Sequence, residues 1–92
     1  MEKTVLITGG SRGLGLAMAR AFAAQGCRVA ITGRDGARLA EAVKDLPGGI
    51  AIEADVADAA HTQAVVDEVE ADIGPVEVLI NNAGIGGDPA GP

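Results

Sequence analysis

The chain has 92 residues, 48% of them apolar, and a formal net charge of −6 from seven basic and thirteen acidic side chains. A chain of this length forms one small domain at most and buries roughly 60–65% of its unfolded surface. The acidic balance, with basic residues scattered along the sequence, argues against nucleic acid or an anionic membrane as a partner, and no apolar run approaches membrane-spanning length.

Residues 5–8, ending in Thr8, read as a short buried strand, apolar on both faces. A glycine-rich turn follows, with Gly9, Gly10, Gly13 and Gly15. Residues 13–25 predict a first helix with Leu14, Met18, Ala21 and Phe22 on one face, and Gly26 stands where a C-terminal glycine belongs. Residues 28–32 predict a second strand, and Gly33-Arg34-Asp35 the turn after it. Asp35 is suited to cap a second helix over 36–46, whose buried stripe is Leu39, Ala42, Val43 and Leu46. Pro47-Gly48-Gly49 stops that helix.

Residues 50–54 predict a third strand, and Asp55-Val56-Ala57 a connector. Asp58 is placed to cap a third helix running to about residue 73, with Val65, Val66, Val69 and Ile73 inward. Gly74-Pro75 ends it. Residues 76–80 predict a fourth strand leading into Asn81-Asn82-Ala83-Gly84. Alternating strands and helices point to an α/β fold, a Rossmann-like doubly wound parallel sheet. The expected organisation is a partial dinucleotide-binding domain over 1–84 and a disordered Gly/Pro-rich tail over 85–92.

A glycine turn between a strand and a helix is the context of a nucleotide site. The helix N-terminus offers unsatisfied N–H groups and the positive end of a dipole to a diphosphate. The alternative is a tight turn without a ligand. The spacing Gly9-x-x-x-Gly13-x-Gly15 is not the common G-x-G-x-x-G, and no Lys-Ser/Thr follows, which excludes a Walker A loop. At the end of the second strand, an NAD-selective fold carries an acid for the ribose 2′-hydroxyl. Here Arg34 follows Gly33, and a guanidinium pairs with a 2′-phosphate instead. Arg12 stands within reach of the same group, so the pair favours NADP(H) over NAD(H). A solvated turn is the other reading of Arg34.

The stretch T-G-G-S-R-G-L-G over 8–15, followed at this distance by N-N-A-G over 81–84, resembles the short-chain dehydrogenase/reductase family, and the matches run from Thr8 to Gly84. The resemblance implies strand order 3-2-1-4. It also implies that Gly9, Gly10, Ser11, Arg12, Gly13, Leu14 and Gly15 form the loop along the cofactor phosphates and ribose. Arg34 then meets the 2′-phosphate, Asp55 and Val56 flank the adenine, and Asn82, Ala83 and Gly84 lie by the nicotinamide-side ribose.

The family's activity is hydride transfer between the nicotinamide and a carbonyl or alcohol, with a Tyr as general acid/base supported by Lys and Ser. The sequence contains no tyrosine. His61 reads as solvated and Cys27 as a small filler, so no catalytic residue and no metal site is assigned. The expectation is the NADP-binding half of a reductase, cut after N-N-A-G and inactive alone. The alternatives are a non-catalytic NADP-binding module, stabilised by a partner or a second copy at an open sheet edge, and a fragment without function. One cysteine permits no internal disulfide, and residues 1–3 lead directly into a strand, so the expected location is cytoplasmic.

Overall fold

The computed structural model describes residues 3–55 and 59–82. Its elements are β1 (Thr4–Thr8), α1 (Gly13–Ala24), β2 (Arg28–Gly33), α2 (Gly36–Val43), β3 (Ile50–Glu53), α3 (Ala59–Asp72) and β4 (Val78–Asn81). The four strands form one parallel sheet in the order β3-β2-β1-β4, as the resemblance implies. The register pairs Val5 with Val29 and with Val78, and Ile31 with Ala51.

Side chains alternate across the sheet, and so do its two cores. Val5, Ile7, Val29 and Ile31 face one way and pack with Ala19, Leu39, Ala42 and Leu46 from the side of α1 and α2. Leu6, Ala30 and Ile52 face the other way and pack with Val65 and Val69 of α3. Burial on both faces explains why the strands are apolar runs rather than alternating ones. The α3 face is the less covered. Leu79, in register with Leu6, is 48% exposed there, and β4 has a neighbour on one side only.

The buried stripe of α1 differs from the expected one. Gly15 and Ala19 are its buried positions, with Leu16, Met18, Phe22 and Ala23 half-buried around them. Leu14 is 66% exposed and Ala21 is exposed as well. The small residues set this orientation: the helix comes close to the sheet along the side where no side chain stands in the way.

Several boundaries shift by a few residues. Helix α2 ends at Val43, and Leu46 is carried inward by tighter turns, with i to i+3 bonds at Lys44, Asp45 and Leu46. Strand β4 begins at Val78 rather than 76. The N–H of Val76 donates instead to Glu70 Oε2 at 2.9 Å, and the Glu77 N–H to the Thr4 carbonyl at 2.9 Å. The proposed cap Asp58 and the tail over 85–92 lie outside the described residues.

Asp35 caps α2 as expected: its Oδ1 accepts from the N–H groups of Ala37 at 3.1 Å and Arg38 at 3.2 Å. Asp35→Ala is expected to cost about 1 kcal/mol of stability, read as a lowered midpoint in urea unfolding. An unchanged midpoint would show that the cap contributes nothing.

Candidate functional site

Strand β1 delivers the chain to the carboxyl end of the sheet, between β2 and β4. From there α1 crosses on one face and α3 on the other. In open parallel sheets ligands bind at this reversal of strand order. The loop over 9–12 sits there, tied down from both neighbouring strands. On the β2 side, the Gly9 N–H donates to Thr32 Oγ1 at 3.3 Å and the Gly10 N–H to the Thr32 carbonyl at 3.0 Å. On the β4 side, Asn82 Nδ2 donates to the Gly9 carbonyl at 3.1 Å, and Thr8 Oγ1 donates to Asn81 Oδ1 at 3.1 Å.

Glycine is required at particular positions in this loop. Gly9 has φ 68° and Gly13 φ 60°, the left-handed region that side chains disfavour. Gly10 and Gly15 are required for space. A Cβ on Gly10 would stand 2.5 Å from Ile31 Cγ2, and one on Gly15 would overlap the Gly9 carbonyl oxygen and stand 2.7 Å from Asn82 Nδ2. The loop therefore lies directly on β2, with α1 directly on the loop.

The N-terminus of α1 carries no side-chain cap, its N-cap residue being Arg12 in an extended conformation. The first N–H groups of the helix face no competing carboxylate from their own cap, as an anion site needs. Beside them is a cavity of about 200 Å³ lined by Ser11, Arg12, Arg34, Asp35 and Arg38. Three of the seven basic residues of an acidic chain thus share one cavity, although they are scattered in sequence. Asp35 is the one carboxylate among the lining residues, and its Oδ1 accepts from the first turn of α2. Among the described residues neither the Arg34 nor the Arg38 guanidinium is paired with a carboxylate, whereas Arg20 pairs with Asp45 at 2.9 Å and Lys44 with Glu41 at 2.8 Å.

The structure brings together Gly9 through Gly15, Arg34 and Asn82. Asp55 is exposed and lines a depression of about 330 Å³ with Ile52, His61 and Glu68, and the N–H of Ala54 before it donates to the Gly33 carbonyl at 2.8 Å. Val56, Ala83 and Gly84 lie outside the described residues. His61 is exposed and Cys27 is half-buried against the α1 core. Among the described residues no group of three or more His, Cys, Asp or Glu is placed to hold a metal, and no helix is long and apolar enough to cross a membrane.

Two contributors escaped the sequence reading. Thr32 reads as an ordinary strand end, yet it is fully buried and holds the loop by both its hydroxyl and its carbonyl. A polar residue closing an apolar run is its one signal. Arg38 reads as a surface helix residue, and its signal is its place one turn beyond Arg34.

The family model for short chain dehydrogenases matches residues 3–91. The chain is 43% identical over 85 residues to galactitol 2-dehydrogenase of Agrobacterium fabrum, covering 91% of this chain and 33% of that protein. Among solved structures it is similar to an actinorhodin polyketide ketoreductase with NADPH, at TM-score 0.82 and 33% identity, covering 90% of this chain and 33% of that one. It is also similar to an NADPH-bound short chain oxidoreductase from Pseudomonas aeruginosa PAO1, at TM-score 0.81 and 35% identity, covering 89% and 34%. The chain thus spans about one third of the length of these relatives. A family match over nearly the whole chain, joined to the 3-2-1-4 sheet and a glycine loop at its reversal point, makes this chain a member of the short-chain dehydrogenase family, with a Rossmann-type nucleotide-binding fold.

Proposed function

We propose that the chain is the NADP(H)-binding portion of an oxidoreductase that moves a hydride between the nicotinamide and a carbonyl or alcohol. The observation that carries this reading is the arginine-lined cavity beside the uncapped start of α1. A dinucleotide diphosphate fits the N–H groups at 13–15 and the close-lying glycine backbone, and a 2′-phosphate fits the cavity of Ser11, Arg12 and Arg34. An exposed Leu14 at the first turn offers apolar surface to the same ligand. In this reading Asp55 and Val56 face the adenine, and Asn82, Ala83 and Gly84 lie toward the nicotinamide ribose. Asn82 also keeps the loop in place through the Gly9 carbonyl. The NADPH found with two of the similar structures supports the choice of cofactor.

The bound nicotinamide would supply the hydride chemistry. The chain's own residues bind and orient the cofactor. No tyrosine is present among the 92 residues, so the chain alone is expected to be inactive as a dehydrogenase. With no tryptophan to report binding, calorimetric titration with NADP+ and then NAD+ is the direct test. Saturable binding, tighter for NADP+, is expected. Equal affinities, or no binding to either, would overturn the proposal.

A further inference from the structure

We propose that Arg38 is a further specificity-determining residue, a third guanidinium that selects nucleotides carrying a 2′-phosphate. The inference rests on the reading of the cavity as the 2′-phosphate site, and it adds a residue on a different element from the glycine loop and the β2 end. Arg38 lines the cavity together with Ser11, Arg12 and Arg34. Its backbone is fixed on both sides. Its own N–H is held by Asp35 Oδ1 at 3.2 Å, and the next residue, Leu39, is 2% exposed in the core. Between these anchors the side chain at 38 stands on the outer side of the first turn, at the cavity.

Charge gives the second line of argument. Asp35 is the carboxylate that shares the cavity, and its Oδ1 is engaged by two backbone N–H groups. Arg34 and Arg38 are without a carboxylate partner among the described residues. The charged side chains that line the cavity, three arginines and one aspartate, leave a formal excess of positive charge that favours an anion of more than one charge. A phosphate monoester carries about −1.5 to −2 at neutral pH. The cavity, about 200 Å³, leaves room for a phosphoryl group. Arginine supplies planar, paired donors for such a group, where lysine supplies a single point charge.

The test uses the 92-residue chain and two ligands that differ only in the 2′-phosphate, adenosine 2′,5′-bisphosphate and adenosine 5′-monophosphate, titrated calorimetrically. Arg38→Gln keeps the aliphatic stem and removes the charge. It is expected to weaken the bisphosphate about ten-fold and leave the monophosphate unchanged, with Arg38→Lys intermediate. If Arg38→Gln leaves the bisphosphate unchanged while Arg34→Gln weakens it, the inference falls and the cofactor reading stands. If Arg38→Gln weakens both ligands equally, the residue is structural and the inference falls. If the unaltered chain does not distinguish the two ligands, the cofactor reading falls, and the inference with it.

Discussion

Gly15→Ala is expected to destabilise the chain by about 3 kcal/mol, lowering the midpoint of thermal unfolding by roughly 12–24 °C in a domain of this size. The added methyl meets the Gly9 carbonyl oxygen and Asn82 Nδ2. A carbonyl held in a hydrogen-bonded loop cannot swing aside as the end of a long side chain can. Moving it breaks the 3.1 Å bond from Asn82 and loosens the loop from β4. A small domain has only several kcal/mol of stability in total, so the loss is a large fraction of it. Gly13→Ala is the comparison. It stands in open space, and only its φ of 60° opposes a side chain, which costs about 1–2 kcal/mol. Circular dichroism melts of the two variants check the order. A Gly13→Ala variant less stable than Gly15→Ala would refute the packing argument.

Arg34→Asp is expected to reverse the cofactor preference, lowering the NADP+ to NAD+ affinity ratio about 100-fold. The substitution removes a charge-assisted donor from the cavity and places a carboxylate where it repels a 2′-phosphate and can accept from ribose hydroxyls. Asp35, one residue on, is held at the start of α2, where its Oδ1 accepts from the Ala37 and Arg38 N–H groups. Paired titrations with the two dinucleotides measure the ratio. An unchanged ratio would remove Arg34 from the site.

Much of this architecture was legible from local signals. Apolar β-branched runs, a glycine turn, Asp35 before a helical pattern and Pro47-Gly48-Gly49 after it each act over a few residues. The strand ends were less legible. Whether residue 76 or 78 opens β4 depends on Glu70, on a different element, which takes the Val76 N–H. On α1, Met18 and Phe22 pack against the core as the spacing predicts, while Leu14 and Ala21 are exposed for a related reason. Spacing alone favours the larger side chains Leu14, Met18 and Phe22 as the buried stripe, whereas Gly15 permits an approach so close that the small residues face the sheet. Close contact through the absence of a side chain leaves no hydrophobic signal.

The sequence by itself determined the family, the alternating order of strands and helices and the glycine loop, because each is a short motif whose chemistry depends on neighbours in the chain. The tertiary structure decided what those motifs meet. It joined Arg12, Arg34 and Arg38 in one cavity and set Thr32 and Asn82 as the two anchors of the loop. The physical reason is the sheet. Parallel pairing of β1 with β2 and β4 brings the carboxyl ends of strands distant in sequence side by side, so charges that are dispersed along the chain are concentrated where those strands end.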